Sequence, residues 1–186
     1  FADIVCGIIL ISLSLLSRVV GVLSAVFVQK KLTDEPKTRV AIVGASFAGF
    51  EVSNILKHDK RMQVTLINEK EYFEFTPGVL RCFVEPGHYR RIAFQIPVVH
   101  PRLLVGRAMS IHSNSLTVHP ARSGVSEEEV PFDVCVLATG SRYNGVIKAR
   151  EEEQTLHDRA RTWQEAHKEV QAAGTIVVLG AGLVGV

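Results

Sequence analysis

Two glycine-spaced segments carry residues whose types and spacing can do chemistry. Arg39 to Gly49 reads RVAIVGASFAG, an apolar run that breaks at Gly44 and continues with apolar residues at Phe47, Phe50, Val52, Ile55 and Leu56. Thr175 to Val186 reads TIVVLGAGLVGV, with Gly180, Gly182 and Gly185 in Gly-x-Gly-x-x-Gly spacing. A strand that turns on glycine into a helix binds phosphate. The glycine permits the turn, the opening helix presents N–H groups that have no partner within it, and the last glycine lets helix and strand pack closely. The candidate binding turn is therefore Gly44, Ala45, Ser46, Phe47, Ala48 and Gly49. Ser46 stands where a glycine usually lets phosphate approach most closely. Its Cβ narrows that space while its hydroxyl offers a hydrogen bond in return, which is compatible with a bound dinucleotide or with a scaffold that has lost one.

A second short strand, Gln63 to Ile67, follows at the distance expected of a strand–helix–strand unit that holds a dinucleotide. Such units end this strand in an acidic residue that accepts from ribose hydroxyls. Here Asn68 is followed by Glu69, so either the neutral amide accepts or Glu69 takes the role by a shift of one residue. Residues 71–91, EYFEFTPGVLRCFVEPGHYRR, are aromatic and basic, and are expected to form a loop and short helix over the carboxyl end of the sheet. Arg81, Arg90 and Arg91 in that stretch either meet phosphate or lie on solvated surface. No side chain stands out as a catalytic acid, base or metal ligand.

The positioning elements follow from periodicity. Leu103 to Pro120 alternates around a polar SNS turn, which predicts an antiparallel hairpin or meander, and 121–131 reads as a charged loop. Phe132 to Gly140, FDVCVLATG, is expected to be a buried parallel strand ending at Thr139 and Gly140. Glu151 to Ala173 carries Leu156, Ala160, Trp163, His167 and Val170 on one helical stripe, with Trp163 assigned to the core and His167 to packing or surface. A strand at Thr175 then leads into the second glycine turn. One residue beyond its third glycine is too little for a helix, so the chain reads as part of a longer protein.

With 186 residues, 47% of them hydrophobic and only three cysteines, a disordered tail, a collagen and a disulfide-stapled module are excluded. A net charge of +2 argues against a nucleic-acid partner. The mean hydropathy of +0.20 arises in the first thirty residues. Ile4 to Val28 holds one charge, Arg18, and as a helix would run about 37 Å, enough to cross a hydrocarbon core of about 30 Å. Asp3 precedes the run and no basic residue does, unlike a secretory signal peptide. Arg18 is expected to face a partner helix, a polar cavity or the headgroups, or else to split the run into two surface pieces. Lys30, Lys31, Lys37 and Arg39 follow the run, which places the remaining chain on a cytoplasmic, matrix or stromal side. Cys6, Cys82 and Cys135 then read as ordinary buried thiols. The expected organisation is an anchor at 1–29, a linker at 30–38, a first nucleotide-binding domain at 39–148, and a connecting helix with the start of a second domain at 149–186.

Two glycine-rich units flanking an Ala-Thr-Gly strand resemble the pyridine nucleotide-disulfide oxidoreductase superfamily across residues 38–186. The stretch INEKEYFEFTPGVLRCFVEP is most similar to its apoptosis-inducing-factor-like and type II NADH dehydrogenase branches. The resemblance implies an α/β fold: a Rossmann-like FAD-binding domain with an antiparallel meander, preceded here by one transmembrane helix and followed by the start of a second Rossmann unit. It also implies that Gly44, Ser46 and Gly49 sit on the FAD pyrophosphate and that Asn68 or Glu69 meets the ribose. Thr139 and Gly140 would line the FAD site, with Arg81 of the basic stretch a further candidate contact, and Gly180, Gly182 and Gly185 would begin an NAD(P)H domain. The carboxyl-terminal segment that closes over the flavin in this superfamily is absent from the sequence.

No closely spaced cysteine pair is present, so a dithiol relay is excluded. In the similar membrane-associated families the acceptor is a quinone. The expectation is a membrane-anchored FAD-dependent NAD(P)H oxidoreductase with lipid and quinone as partners. The alternatives are a non-catalytic subunit of a respiratory or photosynthetic membrane complex, held to other subunits by its amino-terminal helix, and a soluble oxidoreductase with a cleaved leader. The organelle membranes compatible with this reading are the mitochondrial inner membrane and the thylakoid, and the sequence does not choose between them.

Overall fold

The computed structural model describes residues 36–97, 102–121, 124–142 and 145–180. The chain enters the sheet at β1 (Thr38–Val43), turns at Gly44 into α1 (Phe47–Leu56) and returns as β2 (Met62–Asn68), parallel to β1 from Thr38↔Met62 to Val43↔Ile67. Next comes an excursion away from the sheet. It consists of β3 (Tyr72–Glu74), 3-10 turns at Thr76–Phe83 and Pro86–His88, a four-residue helix α2 (Tyr89–Ile92), and β4 (Ala93–Gln95), which pairs antiparallel with β3. β5 (Arg102–Ile111) pairs parallel with β2 at its start and antiparallel with β6 (Ser115–Pro120) at its end, and β6 pairs with β7 (Glu128–Pro131). β8 (Val134–Leu137) closes the order β7-β6-β5-β2-β1-β8, parallel to β1. The architecture is mixed α/β and Rossmann-like.

Alternation along β1 explains why the sheet has two buried faces. Val40 and Ile42 pack with Val64, Leu66 and Leu103 beneath α1, while Ala41 and Val43 face Leu116, Val118 and Val130 of the meander, which curls over the other side. The chain leaves β1 towards β2 on one side and returns through β8 on the other. That is a topological switch point, and it opens a crevice at the carboxyl ends of these strands.

Four sequence expectations change. Residues 128–131 are a strand rather than loop, because Val130 is buried against the core while the glutamates around it stay outside. Tyr72–Glu74 is likewise a strand, with Tyr72 and Glu74 buried on one face. β8 is parallel as expected but lies at the sheet edge, with Val134 48% and Leu137 63% exposed, since no strand covers its outer side among the described residues. Thr175 to Leu179 has no strand partner among them either, and Leu179 is 94% exposed. The membrane span expected at 1–29 lies outside the described residues. Among these, no helix is long and apolar enough to cross a membrane.

α3 (Leu156–Ala172) starts five residues later than its stripe suggested, where Thr155 Oγ1 accepts from the Asp158 N–H at 3.1 Å and caps it. Its buried residues Ala160 and Trp163 pack on Val79, Cys82 and Ile92. His167 is a packing residue whose Nδ1 lies 2.8 Å from the Phe83 carbonyl oxygen.

Arg39 and Asp133 tie the start of β1 to the start of β8. The guanidinium donates to Asp133 Oδ1 at 2.6 Å and the Arg39 backbone N–H to Oδ2 at 2.7 Å. Hydrogen bonds from the Arg39 side chain and then its backbone hold the Asp133 carboxyl down at about 2. A folded-state value below the unfolded one means that this tether stabilises the fold above the ordinary carboxylate range and loses that effect as pH falls towards 2. Carbon-detected NMR should find the Asp133 midpoint near 2, and Arg39→Gln should raise it towards about 3.9.

Candidate functional site

Gly44 ends β1 with φ +102°, a conformation that L side chains rarely adopt, and a Cβ there would lie 2.3 Å from the Ala138 carbonyl oxygen. A Cβ on Gly49 would lie 1.8 Å from the Gly44 carbonyl oxygen, so the first turn of α1 rests on the glycine turn itself. The Ala45 N–H donates to Asn68 Oδ1 at 3.0 Å, and Asn68 Nδ2 donates to the Lys70 carbonyl at 2.7 Å. Asn68 is thus a clamp between the turn and the end of β2. Ser46 is the extended N-cap of α1; its side chain makes no capping bond and borders the adjacent cavity.

Two cavities meet at Gly44, Asn68, Glu69, Thr139 and Arg142. The first, about 130 Å³, is bordered by Ala45 and Ser46 and by Lys70, Glu74, Lys148 and Gly140. The second, about 650 Å³, lies at the carboxyl ends of β1, β2 and β8, against Ile67 and Leu137 and against Gly106 and Ala108 of β5. Glu69 stands where they join and is ion-paired with Arg107, at 2.9 Å, and with Arg142. Glu151 pairs with the same two arginines. Hydrogen bonds from Arg107 and then Arg142 hold the Glu151 carboxyl below its ordinary range. These pairs are exposed and weakly stabilising, so a ribose hydroxyl can exchange with them at little cost.

The structure therefore brings together Gly44, Ala45, Ser46, Asn68, Glu69, Thr139 and Gly140. It does not bring in Phe47 and Ala48, which border neither cavity; Phe47 packs instead edge-on against Phe73 and Phe75. Arg81 lies outside both, paired with Glu85 at 2.9 Å. Gly180 is exposed with φ +108°, and Gly182 and Gly185 fall outside the described residues. Cys82 is buried, and burial pushes its thiol up to about 11, which keeps it protonated.

Sequence reasoning missed a buried charge cluster behind the first cavity. Arg159, on α3 and fully buried, donates to Glu74 from Nε at 2.8 Å and Nη2 at 3.4 Å, to Glu153 from Nη1 at 3.3 Å, and to the Ile147 carbonyl at 2.9 Å. Its guanidinium lies 4.7 Å from the Trp163 ring. The available signal was Arg159 within the apolar stripe, four residues before Trp163.

A glycine cradle, a helix opening with no acidic residue in its first turn, and cations across a crevice form a donor set that fits the phosphates of a dinucleotide, and the apolar second cavity fits a base. A family model described as pyridine nucleotide-disulphide oxidoreductase matches residues 38–186. The chain is 29% identical over 154 residues to apoptosis-inducing factor homolog B of Dictyostelium discoideum, covering 82% of this chain and 38% of that protein. It is 30% identical over 158 residues to ferroptosis suppressor protein 1 of Xenopus laevis, covering 84% and 40%. It thus spans about two-fifths of the length of these curated relatives.

Among solved structures, NDH2 from Plasmodium falciparum in complex with NADH superposes with a TM-score of 0.55 at 16% identity, over 76% of this chain and 31% of that one. The sulfide:quinone oxidoreductase of Aquifex aeolicus gives 0.53 at 20%, over 73% and 33%. These two likenesses show the fold. The family match over residues 38–186 shows more: the chain belongs to the pyridine nucleotide-disulphide oxidoreductase family, whose members bind FAD and take electrons from NAD(P)H.

Proposed function

We propose that this chain forms the FAD-binding part of a membrane-anchored NAD(P)H oxidoreductase that passes electrons to a quinone. The observation that carries the reading is the glycine cradle opening on a cation-lined cavity at the switch point of the sheet. Gly44 and Ser46 with the opening turn of α1 would hold the pyrophosphate, and Glu69 would orient the ribose once released from Arg142. The cavity at the strand ends beside β5 would take the adenine, and Thr139 and Gly140 would shield the site's edge. Bound FAD supplies hydride acceptance from NAD(P)H and onward electron release. The quinone is supported by the likeness to a sulfide:quinone oxidoreductase, and the anchor by the apolar run Ile4 to Val28. Lys30, Lys31, Lys37 and Arg39 after that run support a single-pass protein with this domain on the matrix, stromal or cytoplasmic side.

Ser46 in place of glycine, and Asn68 tied to Ala45, favour a second reading, in which the same fold is a non-catalytic subunit of a membrane complex. Purification in detergent separates the two. An oxidoreductase should be yellow at one flavin per chain, with bands near about 375 and 450 nm that NADH bleaches anaerobically. Colourless folded protein means that the scaffold serves assembly.

A further inference from the structure

We propose that Lys70 is the cation that meets the cofactor's pyrophosphate, supplying by charge what the Ser46 side chain takes away in backbone approach. This rests on the dinucleotide reading of the first cavity. Lys70 borders that cavity together with Ala45 and Ser46. Its backbone is bolted to the glycine turn through one side chain, since its carbonyl accepts from Asn68 Nδ2 while Asn68 Oδ1 accepts from the Ala45 N–H. A cation on the residue so fixed keeps its place relative to the turn.

The Lys70 side chain extends over a buried ring. Nζ lies 5.1 Å from the centre of the Tyr72 ring, and Tyr72 is buried with its hydroxyl donating to the Glu153 carbonyl at 3.1 Å. Behind it, Arg159 engages both Glu74 and Glu153. Burial lowers the pKa of the ammonium; Glu74 and Glu153 favour its charge, and Arg159 and Lys148 oppose it. An arriving diphosphate adds negative charge in front of a cation that burial and its like-charged neighbours disfavour, so binding strengthens the charged form. Arg159 is the positioning residue of this arrangement, because it holds β3 and the 153 turn on which Tyr72 rests.

The test compares ADP with adenosine on the full-length protein, stripped of flavin and held in detergent, by titration calorimetry. A charge-assisted contact to phosphate is worth about 10-fold or more in affinity. Lys70→Met should lose that factor for ADP, keep adenosine binding within about twofold, and flatten the salt dependence of ADP binding, while Lys70→Arg retains most of the ADP affinity. Unchanged Trp163 fluorescence serves as the fold control. Equal losses for ADP and adenosine, or no loss for either, overturn the assignment to Lys70. Wild-type protein that binds neither ADP nor FAD overturns the dinucleotide reading as well.

Discussion

Gly49→Ala should unfold the first strand–turn–helix unit or expel it from its place, and is expected to be among the most damaging single substitutions in the chain. The added methyl would lie 1.8 Å from the Gly44 carbonyl oxygen and 3.3 Å from Ala138 Cβ. Overpacking costs about 1–3 kcal/mol where neighbouring side chains can give way. Here the nearer obstacle is backbone in a tight turn, so about 3 kcal/mol or more is expected. Gly44→Ala adds a second penalty to a similar clash, because φ +102° is strained for any side chain, at a further cost of about 1–3 kcal/mol.

Gly87 has nothing within 4 Å of where its Cβ would go, and Gly87→Ala should change stability by no more than about 0.5 kcal/mol. Urea denaturation of the three variants, with ADP titration of whatever remains folded, checks the ordering. Wild-type midpoint and nucleotide affinity in Gly49→Ala would show that helix and turn are not in contact as described.

The same contact explains why this part of the fold was legible in the sequence. A glycine at the end of an apolar run and another five residues later state a local fact, the closeness of a turn to the helix it starts, and local facts are written in adjacent residues. The hairpin around the SNS turn is legible for the same reason. The depth of β8 was not, because VCVL reads as apolar wherever it sits, and its exposure depends on whether another strand lies beyond it. The backbone partners of Asn68 were not legible either, because an amide both donates and accepts. Its type cannot tell a ribose from the two backbone groups that occupy it. Glu69 borders the crevice, and its arginine partners, Arg107 on β5 and Arg142 beyond β8, are distant in sequence.

Arg159 was the least legible of all, since Glu74 lies 85 residues before it and a charge in a helix reads as solvated. Its burial makes it the second position of large effect. Arg159→Met would leave Glu74 and Glu153 without the guanidinium that both engage, and breaking a buried pair in this way costs about 3–5 kcal/mol. The side of Trp163 now covered by the guanidinium would be left to a flexible thioether. Denaturation followed by the fluorescence of Trp163, the single tryptophan, should show the loss.

Removing the carboxylates together with the guanidinium distinguishes charge from shape. The triple variant Arg159→Met, Glu74→Leu, Glu153→Leu should regain most of the lost stability, because well-packed apolar groups replace buried ions at little net cost. It would also remove the negative charge that favours the Lys70 ammonium. Recovery of stability without recovery of ADP affinity is therefore the expected pair of results. A triple variant as unstable as Arg159→Met alone would mean that the cluster acts through its hydrogen bonds to the Ile147 carbonyl and the Arg150 N–H rather than through its charges.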